Sequence, residues 1–205
     1  MKVVLFNGSP REKGCTYTAL CQMKDTLLKE GISAEIFHAG KATKGCMGCG
    51  FCSENGRCVT EDCVNDAIAL LDGADAVVFG SPVHYASASG AMTSFLDRLF
   101  YAAGKKLCQK PCAVVASCRR GGAASTLDQL LKYPEFNQMP IITGQYWAMV
   151  HGSSPEEVLK DEEGMQVMRT TAKNMAWILK CIDMGKKNGV TAPETEKKIK
   201  TNFIR

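Results

Sequence analysis

The stretch KVVLFNGSPREKGCT, residues 2–16, determines the kind of fold that the sequence predicts. The run from Val3 to Phe6 is continuously apolar, as in strands that are covered on both faces of a sheet. A polar loop ends the run, and apolar residues at helical spacing follow over residues 16–30, with Thr16 as the predicted N-cap. A buried strand, a short loop and a helix in succession indicate a parallel α/β sheet.

The same succession of strand and helix recurs further along the chain. Strands are predicted at residues 33–37, 76–79 and 112–116, with strand candidates at 140–142 and 145–150. Helices are predicted at residues 63–72, 90–103, 123–133 and 161–183. The pattern predicts an α/β domain at residues 1–183, built as a doubly wound five-stranded parallel sheet with helices on both faces, and a tail at residues 184–205.

The composition is that of a soluble globular protein with one core: 205 residues, 45% of them hydrophobic and 22% charged. The net charge of +4 is mild, and the basic residues are dispersed apart from Lys197, Lys198 and Lys200, so nucleic acid is not an expected partner. The sequence has no signal-peptide pattern and no run of about 20 apolar residues. We therefore expect a cytoplasmic protein that binds no membrane.

Eleven cysteines in a reducing compartment favour metal or redox roles over disulfides. Cys46, Cys49, Cys52 and Cys58 have the spacing C-x2-C-x2-C-x5-C in a cysteine-rich loop, residues 46–63, after the second strand. One turning loop of this spacing can direct four thiolates at one centre, which suits an iron–sulfur cluster or a structural zinc ion. A loop without metal is the third alternative, although the successive C-x2 steps favour the cluster. Cys63 is a fifth nearby thiol that four ligands would leave dispensable.

Three polar loops follow predicted strands, at residues 8–16, 81–90 and 117–122. Ligands of parallel sheets bind at the carboxyl ends of the strands, so these loops should converge on one site. The first loop carries the hydroxyls of Ser9 and Thr16 at a helix start, whose N–H groups and dipole attract an anion. The loop matches neither the dinucleotide fingerprint nor the nucleoside-triphosphate loop. It predicts a phosphate site, with an ordinary capped turn as the alternative.

The other two loops have the residues expected around a planar ring. Tyr85 gives the second loop an aromatic tip, and His84 beside it is either a proton donor or a surface histidine. The third loop offers small residues for close backbone approach and two cations, Arg119 and Arg120. A redox centre beside a bound organic phosphate indicates electron transfer.

These motifs resemble the NADPH-dependent FMN reductase family. The resemblance rests on the motif Gly-Ser-Pro-Arg at residues 8–11, on Ser-Pro-Val-His-Tyr at 81–85, and on the run from Ser89 to Arg98. The cysteine loop resembles the iron–sulfur flavoprotein branch of that family, and the likeness extends over most of residues 1–180. It implies a flavodoxin-like fold, FMN as the flavin, and a homodimer or homotetramer with flavin pockets near the subunit interfaces.

Residue by residue, the resemblance places the FMN phosphate on the first loop and the isoalloxazine ring against the other two. The residues expected at the phosphate are Ser9, Arg11, Cys15, Thr16 and Thr18. The residues expected at the ring are Pro82, Val83, His84, Tyr85, Ser117, Arg119, Gly121 and Gly122. The residues expected to ligate a [4Fe-4S] cluster are Cys46, Cys49, Cys52 and Cys58.

The motifs and the resemblance together predict an FMN-dependent NAD(P)H oxidoreductase. Reduced nicotinamide or ferredoxin would reduce FMN, and electrons would leave through the cluster to a small-molecule or protein acceptor. No side chain is expected to act as a nucleophile. Two alternatives remain: a non-enzymatic flavodoxin-like electron carrier, and a redox or metal sensor whose cysteine loop switches an interface.

Overall fold

Five parallel strands form the centre of the computed structural model, which describes residues 1–199 and 201. The strands are β1 (Lys2–Asn7), β2 (Ser33–His38), β3 (Ala76–His84), β5 (Cys112–Cys118) and β6 (Met149–His151), with a two-residue β4 (Ser87–Ala88) antiparallel to the end of β3. Their order in the sheet is β2-β1-β3-β5-β6. The order reverses between β1 and β3, and such a reversal opens a ligand crevice at the carboxyl ends of the strands. The five-stranded doubly wound parallel sheet is confirmed.

Helices cover both faces of this sheet. They are α1 (Cys15–Lys29), α2 (Phe51–Asn55), α3 (Cys63–Leu70), α4 (Gly90–Leu107), α5 (Ala123–Phe136), α6 (Pro155–Lys160) and α7 (Glu162–Lys187). Buried residues of α1, α6 and α7 form one core with the sheet, and those of α3, α4 and α5 form a second core on the other face. Because helices cover both faces of the sheet, the strands are apolar at every position rather than at alternate ones.

Alternate side chains of β1 pack into the two cores. Val3 and Leu5 enter the core with α1 and α7, whereas Val4 and Phe6 enter the opposite core. The Phe6 ring stacks on Phe79 of β3, with the ring centroids 5.4 Å apart and an interplanar angle of 17°. Aromatic pairs of this kind add roughly 0.5–1.5 kcal/mol beyond the area that they bury.

Several predicted boundaries are wrong for identifiable reasons. Thr16 is not the N-cap of α1: Gly14 is, and Thr16 lies buried inside the first turn, hydrogen-bonded to another loop. The candidate strand at 140–142 supplies only a single bridge, between Ile141 and Cys112, and the candidate at 145–150 shortens to β6. The chain between these two pairings is longer than the stretch of β5 that it faces, so the intervening residues leave the sheet.

The end of the chain also differs from expectation. Helix α7 continues to Lys187, beyond the predicted end at residue 183. Residues 190–199 and 201 have no regular secondary structure, but Gln109 donates from Nε2 to the Pro193 carbonyl oxygen over 2.6 Å, and Lys198 lies over the Phe136 ring. Lys200 and residues 202–205, which belong to the predicted tail, lie outside the described residues. Within the described part of the chain, no helix combines the length and apolarity needed to cross a membrane.

Candidate functional site

The three polar loops meet at the carboxyl edge of the sheet, as predicted. Ser89, at the end of the second loop, donates from its hydroxyl to the Gly8 carbonyl oxygen over 2.7 Å. The hydroxyls of Thr16 and Ser117 join the first loop to the third over 2.7 Å. Ser89, Thr16 and Ser117 are all buried, so these bonds fix the relative positions of the loops without competition from water.

The shape of the first loop is set by Asn7, a residue that the sequence analysis did not select. The Asn7 side chain is fully buried; its Nδ2 donates to the Glu12 carbonyl oxygen over 2.8 Å, and its Oδ1 accepts from the Ser9 N–H over 3.1 Å. Ser9 Oγ then accepts from the Arg11 N–H. An asparagine directly after a buried strand was the available signal, because its side chain readily bonds to backbone two residues ahead.

The start of α1 carries no competing acceptor from its own cap. Gly14 contributes no side-chain hydrogen bond, and the first turn has no acidic residue. Arg11 is exposed beside it, and Thr18 donates from its hydroxyl to the Gly14 carbonyl oxygen over 3.2 Å. Cys15 is half-buried, and burial raises the pKa of its thiol, so the thiol stays neutral. N–H groups at a positive helix end, next to the exposed Arg11 guanidinium, suit a phosphate.

The second loop is a β-hairpin rather than an open loop. β3 runs on to His84, and the chain returns as β4 after a two-residue turn in which Tyr85 and Ala86 have φ of 49° and 58°. Left-handed backbone costs a residue with a Cβ about 1–2 kcal/mol. The turn leaves the Tyr85 ring fully exposed, with His84 also exposed and Val83 half-buried below. Core packing does not account for a fully exposed aromatic ring on left-handed backbone, which makes the hairpin tip a candidate for ligand contact.

The third loop supports that hairpin. Gly122 has φ of +87°, and a Cβ added there would lie 2.7 Å from the Ala86 Cα and 2.9 Å from the Val83 Cγ1. Ser125 donates from its hydroxyl to the Ala86 carbonyl oxygen over 2.6 Å. The small residues of this loop allow a close backbone approach to the hairpin, whereas the predicted approach to a planar ring stays a prediction. Arg119 and Gly121 of the third loop are exposed.

A fourth loop, after β6, completes the edge and had no clear signal in the sequence. The Gly152 N–H donates to the Cys118 carbonyl oxygen, and the Cys15 thiol lies 3.6 Å from the Gly152 carbonyl oxygen. Asp161 fixes this loop, because its carboxylate accepts from the His151 N–H over 2.6 Å and from the Gly164 N–H over 3.0 Å.

The four cysteines of the motif line one cavity of about 380 Å³. Cys46 and Cys49 are exposed, and Cys52 and Cys58 are half-buried. The backbone of this loop turns at left-handed glycines, at residues 48, 50 and 56. Cys63 is not among the residues that line the cavity; it packs against the core below.

Four thiols on one cavity are the donor set that an iron–sulfur cluster or zinc requires, so the residue types fit. Burial, and to a lesser degree the neighbouring thiols Cys46, Cys49 and Cys58, raise the pKa of Cys52. The thiols therefore influence one another, yet no three or more His, Cys, Asp or Glu side chains in residues 1–199 and 201 are placed so that they could hold a metal ion.

Arg98 of α4 is the functional candidate that the sequence analysis missed. Its side chain is buried beside the cysteine cavity and donates to both carboxylate oxygens of Asp62, over 2.7 and 2.8 Å. Burial acts to raise the pKa of Asp62, but these bonds and one from the Val64 N–H outweigh it, and the pKa lies below its usual range. Burial similarly opposes ionisation of Cys58, but the bond from Arg98, the hydrogen bonds from Thr60 and the positive charge of Arg98 together outweigh it, so the pKa of that thiol is lowered.

A doubly wound sheet of this strand order, with its binding loops at the carboxyl edge, defines a flavodoxin-like protein. A flavodoxin from the domain Archaea has the same fold, with a TM-score of 0.62 at 13% identity over 88% of this chain and 99% of that one. RosB, in a structure titled with bound 8-demethyl-8-formylriboflavin-5'-phosphate, has a TM-score of 0.68 at 15% identity over 100% of this chain and 94% of its own.

The sequence assigns the chain more narrowly. It belongs to the NADPH-dependent FMN reductase family, whose model matches residues 1–154. An iron-sulfur flavoprotein of Methanocaldococcus jannaschii is 29% identical over 191 residues, which are 89% of this chain and 99% of that protein. The protein is therefore a flavin-dependent oxidoreductase, and FMN is the flavin that its family supports.

Proposed function

We propose that this protein passes electrons from reduced nicotinamide or ferredoxin through FMN and a [4Fe-4S] cluster to an acceptor. One observation carries the proposal: helix α4 connects the flavin loops to the cysteine cavity. Its N-cap, Ser89, is bonded to the first loop, and Arg98 and Tyr101 line the cavity. At 1.5 Å per residue, Ser89 and Arg98 lie about 14 Å apart along the helix axis. The two candidate redox sites are therefore neighbours in one rigid unit.

The first loop would hold the FMN phosphate. The N–H groups at the start of α1 supply the donors, and Arg11 supplies the positive charge. Ser9 offers a further hydroxyl, because its oxygen accepts from the Arg11 N–H and its hydrogen is available, whereas the Thr18 hydroxyl would have to turn away from the Gly14 carbonyl oxygen to donate to the phosphate. The Thr16 hydroxyl is already bonded to Ser117, so we assign these two residues mainly to holding the loops together.

The hairpin and the third loop would border the isoalloxazine ring. Tyr85 presents a planar face at the hairpin tip, next to Pro82, Val83 and His84. Gly121 would leave room for the ring edge, Gly122 lets the third loop pack against the hairpin, and the exposed Arg119 would add a cation. These residues orient the ring and exclude water from it; no side chain need act as a nucleophile.

Cys46, Cys49, Cys52 and Cys58 would hold the cluster. FMN, when bound, accepts a hydride pair and can release electrons singly, and a cluster carries one electron at a time. Ligation needs deprotonated sulfur, so loading should be sensitive to acid and oxygen. The name of the Methanocaldococcus relative supports iron–sulfur chemistry over zinc or an empty loop. Free thiols also need a reducing compartment, so we place the protein in the cytoplasm.

We also propose a homodimer or homotetramer. Several aromatic side chains near the site and on α7 are exposed, namely those of Tyr85, Tyr101, Trp147 and Trp177. Aromatic residues are enriched in protein interfaces, so these exposed rings are candidate contacts with a second subunit, with Tyr85 next to the proposed flavin ring. Light scattering at micromolar concentration should give at least a dimer mass, whereas a stable monomer with FMN bound would contradict this assembly.

Anaerobic oxidation of NADPH and NADH with a quinone acceptor tests the function. We expect steady-state turnover that requires bound FMN. Reduction of the flavin by reduced ferredoxin alone would make ferredoxin the donor. A protein that binds FMN, accepts electrons from dithionite and yet turns over neither nicotinamide nor ferredoxin would be an electron carrier, and the enzymatic proposal would be wrong.

A further inference from the structure

We propose that the pair formed by Arg98 and Asp62 positions the cysteine loop before any metal is bound, and that Arg98 is a positioning residue for Cys58. The positioning of the loop does not depend on the proposed cluster; only the expected effects on iron content and cluster reduction potential rest on it. Its structural content concerns the metal-free chain.

Every N–H of the Arg98 guanidinium is used. Besides its two bonds to Asp62, it donates to the Lys44 and Thr60 carbonyl oxygens, each over 3.2 Å, and from Nε to the Cys58 sulfur over 3.2 Å. A guanidinium has five N–H donors, so none is left over. Lys44 precedes the cysteine motif and Thr60 follows it. One side chain therefore ties the two ends of the loop together and bonds to a proposed ligand between them.

Arg98 is held rigidly enough to act in this way. It is 2% exposed and lies on α4, whose neighbouring residues Phe95, Leu96 and Leu99 are fully buried. Asp62 is held too, because its Oδ1 also accepts from the Val64 N–H as the N-cap of α3. A planar fork between two fixed helices defines an orientation that a lysine, with a single ammonium centre, does not reproduce.

The charge of Arg98 has a consequence for a loaded site. A buried cation needs a compensating negative charge, and Asp62 supplies one. The remaining Nε–H points at the Cys58 sulfur, so a bound thiolate there would receive a charge-assisted hydrogen bond. Such bonds to cluster sulfurs, together with nearby charge, set cluster reduction potentials.

The chain offers a matched control. Arg57 lies in the same loop and pairs with Glu61, but both side chains are exposed, so the pair should contribute little. Arg98→Met removes all five bonds at similar volume, and Arg98→Lys keeps the charge without the fork. Asp62→Asn keeps an oxygen that can cap α3 but loses the carboxylate.

Hydrogen exchange of the metal-free protein is the first test. We expect exchange over residues 44–62 to be at least tenfold faster in Arg98→Met, and also faster, by a smaller factor, in Asp62→Asn. Exchange in Arg57→Met should match that in the wild type. Exchange in the three loops proposed to bind FMN, residues 8–16, 81–90 and 117–122, should be unchanged in every variant. Unchanged exchange over 44–62 in both the Arg98→Met and Asp62→Asn variants would overturn the inference, as would a uniform increase over the whole chain, which would make Arg98 an ordinary core residue.

Iron content and reduction potential after anaerobic reconstitution are the second test. Arg98→Met should retain FMN but lose at least half of the iron, and its remaining cluster should have a lower potential than the wild type. Arg98→Lys should restore the potential more than the iron content. Equal iron and potential in the Arg98→Met and Arg57→Met variants would refute the role of Arg98 at Cys58. If the wild type itself takes up no iron, the proposed function fails, while the exchange experiment still decides whether the pair orders the loop.

Discussion

Gly122→Ala should separate the hairpin from the third loop, and Gly121→Ala provides a control one residue away. At Gly122 the backbone is left-handed, with φ of +87°, and the added Cβ would lie 2.7 Å from the Ala86 Cα. At Gly121 a Cβ would meet nothing within 4 Å, and the backbone is not left-handed. The two variants add the same methyl group, and they differ in the backbone conformation at the substituted residue and in what the methyl group meets.

The magnitude follows from two contributions. The left-handed conformation costs alanine about 1–2 kcal/mol relative to glycine. The contact with Ala86 involves backbone, so it is relieved only by moving the hairpin, at a further cost on the order of 1–2 kcal/mol by analogy with overpacked cores. We expect Gly122→Ala to lower the free energy of unfolding by about 2–4 kcal/mol. Gly121→Ala should stay within about 0.5 kcal/mol of the wild type.

FMN affinity should fall with the same variant, since the hairpin and the third loop are the proposed borders of the ring. If the displaced hairpin weakens the free energy of FMN binding by about 1.4 kcal/mol, the dissociation constant rises tenfold. Urea unfolding of the apoprotein gives the stability, and quenching of FMN fluorescence gives the affinity. A Gly122→Ala variant with the stability and the FMN affinity of the wild type would refute the packing of Gly122 against Ala86 and its place in the flavin site.

Two further predictions concern buried polar groups. Thr16→Val leaves the Ser117 hydroxyl buried without its partner and should destabilise the protein by about 1–3 kcal/mol. Adding Ser117→Ala should recover part of that loss. Urea unfolding measures both variants, and additive losses would contradict the pairing. The folded-state pKa of Asp62 lies below its unfolded value of about 3.9, so the ionised carboxylate stabilises the fold above that pH and less as the pH falls through the folded value. The advantage of the wild type over Asp62→Asn in urea should therefore be constant above about pH 5 and shrink below about pH 4; an advantage that grows towards low pH would contradict it.

The sequence predicted the sheet because its signal is local. Val3 to Phe6 are apolar at every position since both faces of β1 are covered, and no tertiary detail is needed to infer that. The hairpin was missed because its turn uses Tyr85 and Ala86 in a conformation that sequence rules reserve for glycine and asparagine. The local pattern predicts Thr16 as a cap because the partner of its hydroxyl, Ser117, is 101 residues away and has no signal in the neighbouring sequence.

In the candidate site, too, the features that are contiguous in sequence were predictable, and those that depend on distant residues were not. Cysteine spacing identified the residues that line one cavity, since the motif is contiguous in sequence. Arg98 was quoted only as part of a family motif, because its role depends on Asp62, 36 residues earlier, and on a carbonyl oxygen at each end of the loop. An arginine on the apolar face of a helix was the available signal, and only the fold shows what it bonds.

The central claim is that one chain holds FMN and a cysteine-bound iron–sulfur cluster. The direct measurement is FMN, iron and acid-labile sulfide per chain after anaerobic reconstitution, for the wild type and for Cys49→Ala. We expect about one FMN with about four iron and about four sulfide in the wild type. Cys49→Ala should keep FMN and lose iron, because the flavin loops are separate from the cysteine loop. Less than about one iron per wild-type chain, or zinc in its place, would contradict the cluster and leave a flavin reductase with a cysteine-rich loop.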